Sequence, residues 1–351
     1  MGCIFSCFKK SNGQMPLEET ADEPKVYSWD KRDRSNVNDF IIDGKKGETV
    51  VKKAGDVNGE QIVIQNCQDS NIYVFDHIAT VSVDDCINCN IFLGPIKASV
   101  FIRDCKQCKI VVACQQYRTR DCFQIETYLL CGTQPIIESS SRMKFACFMF
   151  YYTQLESQFK SAGLSIFNNN WSNIHDFTPV PGEESNFSYT DAKLADFFPV
   201  PKGEDYDAMQ ISLDEDKSVI PITWGKRRKI SSESCLIVFF NDGGSNDRAV
   251  KLIHTVKTHN PHCILVQTKE VTMGPEDSKR VFGTESYAKA VQQGHVIGLE
   301  INGDGCVALC QSIVTELMKG TTGLVFVSQS PSVAESQIEN FYNFADMQMG
   351  I

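Results

Sequence analysis

The sequence predicts a parallel β-helix followed by a compact α/β domain, and three observations predict it. A short motif recurs at a fixed offset, cysteines concentrate in the same stretch, and from Cys235 onward strand-like runs alternate with helical ones. The recurrence is explicit. Asn66-Cys67-Gln68-Asp69-Ser70-Asn71-Ile72, Asp85-Cys86-Ile87-Asn88-Cys89-Asn90-Ile91 and Asp104-Cys105-Lys106-Gln107-Cys108-Lys109-Ile110 align, with Cys67, Cys86 and Cys105 each 19 residues apart. A looser fourth copy begins at Asp121-Cys122. Self-similarity at this period, rich in short β-branched runs, marks a stacked solenoid. Each copy forms one coil of three short strands, and equivalent positions stack at about 4.8 Å.

The repeat explains the cysteines. Of 15, nine fall between Cys67 and Cys147, so a local cause is needed. Cys86-x-x-Cys89 followed by Cys105-x-x-Cys108 has the spacing of a zinc ribbon. However, Ser70 stands where the second copy has Cys89, and Ile125 stands where the third has Cys108. A four-thiolate site does not explain a pattern that continues through copies lacking the second cysteine. A ladder of small interior side chains does, because a free cysteine behaves as a small apolar residue. No metal is therefore expected. With no secretory pattern at the start of the chain, the thiols read as reduced.

At 351 residues the chain has room for two domains and a tail. Its net charge of −10 excludes nucleic acid as the main partner, since phosphate binding needs a basic footprint. No apolar run reaches the roughly 18 residues that would span a bilayer. The chain opens Met-Gly-Cys-Ile-Phe-Ser, in which Gly2 and Ser6 complete an N-myristoylation pattern. One myristoyl chain binds membranes only marginally, so stable anchoring takes a second signal. Cys3 is placed to carry it as a palmitoyl thioester, with Cys7 a poorer acceptor, and Lys9 and Lys10 add attraction to anionic lipid. The expected organisation is an acylated tether over 1–34, a β-helix over 35–185, a connecting segment over 186–233 and an α/β domain over 234–351.

The 19-residue offset also predicts a shared face. It maps Ala79-Thr80 onto Ala98-Ser99 and those onto Tyr117-Arg118, with Gln134-Pro135-Ile136-Ile137-Glu138 reaching about the same edge. Ser99, Arg118 and Glu138 then form a column flanked by Gln115 and Gln116, with Glu138 able to pair with the guanidinium or meet a basic group on a partner. By spacing alone, Arg118 and Arg120 read first as solvated surface charges. Nothing in composition or periodicity says what this edge binds.

The stretch Ala113-Cys114-Gln115-Gln116-Tyr117-Arg118, followed by Gln134-Pro135-Ile136-Ile137-Glu138-Ser139-Ser140-Ser141, closely resembles the tubulin-cofactor-C domain family. Gly163-Leu164-Ser165-Ile166-Phe167-Asn168-Asn169-Asn170-Trp171 continues the match. The acylation pattern and the ending Phe341-Tyr342-Asn343-Phe344-Ala345-Asp346 extend it over nearly the full chain. The resemblance implies a right-handed β-helix of the tubulin-cofactor-C and CARP-like type. It implies activation of GTP hydrolysis on an ADP-ribosylation-factor-like small G protein, with Arg118 as the catalytic arginine and Gln115 beside it. Ala98, Ser99, Gln116, Tyr117 and Glu138 become the contacts to the G protein or its GTP. No cofactor of its own is implied, since GTP and Mg2+ arrive on the partner. The alternative is a non-catalytic adaptor that binds the same GTP state. Kinship further implies the cytoplasmic face of the plasma membrane and the ciliary base, a role in ciliary trafficking of lipidated proteins, and a link to tubulin.

In the second domain, Leu236–Phe240, Cys263–Gln267, Val296–Ile301 and Leu324–Val327 read as strands, and 247–258, 275–292 and 305–318 as helices. This part resembles the ferredoxin-like fold of nucleoside-diphosphate kinases, including Asn302-Gly303-Asp304-Gly305 before the third helix. Such kinases carry phosphate on a histidine after that helix and its strand. Here the last histidine is His295, ahead of the helix, so phosphotransfer is not expected and a protein-binding role is. His254, His259 and His262 read as solvated or capping residues.

Overall fold

The corners of the first domain dictate its shape. Asn66, Asp69, Asp85, Asn88, Asp104, Gln107, Asp121, Gln124, Ser139 and Arg142 all adopt left-handed backbone with φ of 46–57°. Asn and Asp tolerate that conformation better than other non-glycine residues. The residue after each turns inward: Cys67, Ser70, Cys86, Cys89, Cys105, Cys108, Cys122, Ile125, Ser140 and Met143 are all buried. The Sγ atoms of Cys67, Cys86, Cys89, Cys105, Cys108 and Cys122 donate to the carbonyl two residues back, at 3.1–3.4 Å. Ser70 and Ser140 do the same through their hydroxyls at 2.8 Å. A thiol and a hydroxyl thus perform one job: each buried donor finds a partner in a corner carbonyl that also accepts a backbone N–H from the neighbouring coil.

The computed structural model describes residues 37–182 and 184–350, so the acylation candidates Gly2 and Cys3 lie outside the described residues. Its first domain is a parallel solenoid in a 12-stranded sheet system. One stack runs through Ile41–Asp43, Ile62–Gln65, Val81–Asp84, the second halves of Asn90–Arg103 and Lys109–Arg120, Ile136–Glu138 and His175–Asp176. A second runs through Thr49–Lys52, Asn71–Val74, the first halves of the two long strands, Glu126–Cys131, Met143–Cys147 and Phe187–Tyr189. The third side of each coil is a single bridging residue, in the series Lys46, Gln68, Ile87, Lys106, Phe123, Ser141, rather than a strand.

The two stacks differ in what covers them. On the middle coils of the second, both faces are buried: Tyr73, Phe75, Phe92 and Tyr128 point outward into an aromatic layer with Phe148, Phe150, Tyr152 and Phe159. The Leu155–Ala162 helix and the segment 190–222, through Leu194, Phe198, Met209 and Ile220, close that layer. The connecting segment is therefore packed onto the solenoid, and Phe187–Tyr189 carries the sheet past the expected boundary at 185. On the first stack only the inner face is buried, and the strands alternate, as in Ile62–Gln65 and Val81–Asp84. Gly94 sits where the chain passes under the aromatic layer, since a Cβ there would lie 2.2 Å from the Asp76 carbonyl oxygen.

The second domain is an antiparallel sheet of Ile264–Val271, Val296–Asn302, Ser234–Phe239 and Val325–Val327 in that spatial order. This is the 2-3-1-4 arrangement of a ferredoxin-like split βαβ fold. Helices Ser245–His259 and Cys306–Leu317 pack on one face, Pro275–Phe282 and Pro331–Met349 on the other. The helix expected over 275–292 stops at Phe282, where Gly283 takes a left-handed cap, φ 68°. The Pro331–Met349 helix has no counterpart among the expected elements. Gly298 admits its Phe341 ring, which would lie 2.1 Å from a Cβ. His259 does cap: its ring Nδ1–H donates to Thr255 O at 2.9 Å.

Asp76 staples the turn between the first two coils. Its carboxylate accepts from the backbone N–H of Asn58 (2.7 Å), Val57 (3.0 Å), His77 (2.9 Å) and Gly55 (2.9 Å). Burial pushes the carboxyl pKa up, but those four donors outweigh it and hold the group below its ordinary value. A depressed folded pKa gives stability that is present in full above the unfolded value and is lost as pH falls through the folded one. Asp76→Asn should cost about 1–3 kcal/mol at neutral pH, with the gap to wild type closing below about pH 4, as read by denaturant unfolding at several pH values. In the corner ladder, Cys89→Ser should remain within about 1 kcal/mol of wild type, because Ser70 fills the same place one coil away. Cys89→Leu should lose about 1–3 kcal/mol by overpacking. Equilibrium unfolding separates the two.

Candidate functional site

Arg118 faces out because its neighbours face in. Along the strand, Tyr117 and Thr119 are buried and Gln116, Arg118 and Arg120 point to the open face. The Tyr117 hydroxyl lies 2.9 Å from Thr127 Oγ1, its ring meets Phe145 edge-on, and Thr119 Oγ1 donates to Ser140 Oγ at 3.4 Å. Two anchored neighbours hold the backbone that carries Arg118. Tyr117 is therefore a core residue and not a partner contact, and burial raises its phenol pKa well above the ordinary value.

The register corrects the expected column. Between the two long strands the offset falls from 19 residues at Asn90↔Lys109 to 17 at Ser99↔Gln116, with irregularities around Ile96. Arg118 thus pairs with Phe101 on one side and Ile136 on the other, and His175 follows Ile136. Ser99 pairs with Gln116, and its Oγ donates to Gln116 Oε1 at 3.0 Å. Glu138 pairs with Arg120, two positions along. The 17-residue spacing of Cys105 to Cys122 was the sequence signal for this shift.

Among the described residues, three arginines share the open face and one of them is free. Arg103 is held by Asp84 through Nε at 2.6 Å and Nη2 at 2.8 Å. Arg120 Nε lies 3.3 Å from Asp121. Arg118 is exposed and makes no ion pair or side-chain hydrogen bond among the described residues. Around it stand Phe101, 37% exposed, Ile136, and His175 with the Phe177 ring edge-on at 4.5 Å. Sequence reasoning brought Ile136 to this edge but missed Phe101, His175 and Phe177. Ala98 is exposed at the near end of the same face.

Gln115 goes elsewhere. It sits at a corner, its amide so close to Gly132 that a Cβ there would lie 2.5 Å from Oε1. Its side chain lines a cleft of about 380 Å³ shared with Leu164, Ser165, Glu270, His295 and Met349, away from the row that carries Arg118. Among the described residues, no group of three or more His, Cys, Asp or Glu is placed to hold a metal ion.

Comparison with known proteins agrees with this architecture. The family model described as "Tubulin binding cofactor C" matches residues 59–177, the solenoid with its arginine face. The chain is 51% identical to Protein XRP2 of Xenopus laevis over 358 residues, covering 100% of both chains. It is also 51% identical to Protein XRP2 of Homo sapiens over 355 residues, again covering 100% of each. The chain belongs to the XRP2 family. Likeness of its solenoid to human Tubulin-specific chaperone C is more local: 32% identity over 68 residues, 19% of this chain and 20% of that one. What unites the XRP2-family chain with that protein is the tubulin-cofactor-C-like domain, and the whole-length match adds the ferredoxin-like domain to it.

Proposed function

We propose that this protein activates GTP hydrolysis on an ADP-ribosylation-factor-like small G protein, with Arg118 inserted in trans against the nucleotide. The observation that carries the reading is the single uncommitted guanidinium on the open solenoid face, beside Arg103 and Arg120, which are both engaged by carboxylates. Phosphoryl transfer spreads charge over the γ-phosphate oxygens and the leaving oxygen, and an arginine supplied by a partner is worth about 10³ to 10⁵ in rate. Its planar, permanently charged fork suits that charge, which a lysine cannot match geometrically. A stacked coil gives the side chain a stiff base, so little reorganisation is needed on docking. Phe101, Ile136 and Phe177 offer apolar contact around the charge, and Ala98, Ser99, Gln116 and Glu138 a polar margin. In this reading the chain contributes the group to the partner's active site.

Dual acylation at Gly2 and Cys3 would place the activator on the cytoplasmic face of a membrane, with the plasma membrane and ciliary base as the expected sites. Trafficking of lipidated proteins to the cilium fits that placement, and the tubulin-cofactor-C-like domain keeps a tubulin-linked role in view.

Single-turnover GTP hydrolysis against a panel of such G proteins tests the activity. Arg118→Ala should lower the stimulated rate by about 10³ or more while leaving affinity for the GTP form within about tenfold, and Arg118→Lys should restore little of it. Wild-type protein that binds the GTP form without accelerating hydrolysis would instead establish an adaptor. In cell fractionation, Gly2→Ala should move the protein to the soluble fraction and Cys3→Ser should leave only weak, reversible membrane binding.

A further inference from the structure

Three consecutive asparagines, Asn168 to Asn170, join the two domains at the corner that leads into Ile136, the strand neighbour of Arg118. Asn169 and Asn170 face the solenoid. Asn169 Oδ1 accepts from Cys131 N at 3.1 Å, and its amide donates to Leu129 O at 3.2 Å. Asn170 N donates to Cys131 O at 2.8 Å, and its Nδ2 donates to Gly132 O at 2.7 Å. Cys131 N, Cys131 O and Gly132 O are thereby paired with this segment, and Leu129 O is shared with Phe148 N of the next coil. Asn168 faces the other way, donating to Glu270 O at 2.9 Å and accepting from Glu270 N at 2.8 Å. Thr268 Oγ1 adds a bond to Phe167 O at 2.7 Å.

Between these contacts lies a buried charge. Lys269 is 2% exposed. Its ammonium donates to Asn170 Oδ1 at 2.5 Å and pairs with Asp346 Oδ1 of the carboxy-terminal helix at 3.0 Å. Burial pushes its pKa down, and Asp346 works against that. An ammonium on Oδ1 fixes which end of the Asn170 amide faces Gly132, because it can only donate. Gly132 opens the corner Gly132-Thr133-Gln134-Pro135, which delivers Ile136 to its pairing with Arg118. Thr133 ties that corner to the Arg118 strand, with N and Oγ1 both donating to Gln115 O at 3.0 Å.

We infer that Lys269, with Asp346 as its counter-ion, is a positioning residue for the Arg118 edge, so that the carboxy-terminal domain sets the geometry of the activating face. This rests on the activator reading above. Without the ammonium, the Asn170 amide is free to turn, Gly132 O loses its donor, and the strand beside Arg118 is held less firmly. Catalysis is sensitive to such displacements, since a misplacement of about 1 Å can cost about 10²-fold in rate.

The test uses the full chain with Lys269→Met, which keeps an apolar stem of similar length, and a GTP-loaded G protein that wild type stimulates. The expected result is a fall in single-turnover rate at saturating activator of about tenfold or more, unchanged affinity for the GTP-loaded partner, and faster amide hydrogen exchange at Gly132 and Thr133. Should Lys269→Met fail to fold, Asp346→Asn, which keeps the amine, carries the same measurements. An unchanged saturating rate in a folded variant, or rate and affinity falling together in step with the folded fraction, overturns the inference while leaving the activator reading intact. Absence of stimulation by wild type overturns both.

Discussion

The solenoid depends on its corners. Eight of its ten left-handed turns with a buried following residue pair that residue's thiol or hydroxyl with the carbonyl two residues back, and Ile125 and Met143 fill the place in the other two. Left-handed backbone is costly for most side chains, and a polar side chain turned into the core is costly unless it finds a hydrogen-bond partner. The Asn/Asp-Cys dipeptide meets both demands at once. Corner amides also bond to the next coil, as Asp85 N does to Arg103 O and Asp104 N to Arg120 O, both at 3.1 Å, so the stacking does not break at the turns. Cysteine content, corner geometry and coil stacking are one constraint.

That constraint fixes where function can sit. A stack covered on its outer face leaves little for a partner, and the aromatic layer from Tyr73 to Phe159 covers the middle coils of one stack. The other keeps its outer face open, and its alternation sends every second side chain to the surface. On that face Asp84 engages Arg103 and Asp121 engages Arg120, leaving Arg118 with its full donor set. A stiff backbone under a free guanidinium is the arrangement that electrostatic catalysis in trans calls for. The asparagine stitch extends the same rigidity into the second domain, whose helix Pro331–Met349 supplies the carboxylate for the buried Lys269.

Much of this was legible in the residues. The 19-residue repeat gave the coils, and Ser70 in place of a cysteine argued for a ladder over a metal site. The contrast between alternating Val81–Asp84 and near-continuous Asn71–Val74 already separates the open stack from the covered one. The column through Arg118 was read two residues out of register, because the coil after Asp104 is two residues shorter and a constant offset carried Ser99 to the wrong partner. Tyr117 was misplaced for a different reason: it is one step from Arg118, and one step along a strand exchanges surface for core. The helix Pro331–Met349 went unread; its packing partners, Gly298 among them, are distant in the chain.

By itself, then, the amino-acid sequence determined the repeat, the corner chemistry, the alternation of strands and helices after Cys235, and the family kinship. These are local or periodic properties, expressed by neighbours within a coil or an element. Tertiary structure alone decided which arginine is free, which way Gln115 points and how the second domain grips the first. Those outcomes turn on pairings between residues as far apart as Asn170 and Lys269, or Lys269 and Asp346. No local spacing encodes a contact that exists only once the coils have stacked and the two cores have closed.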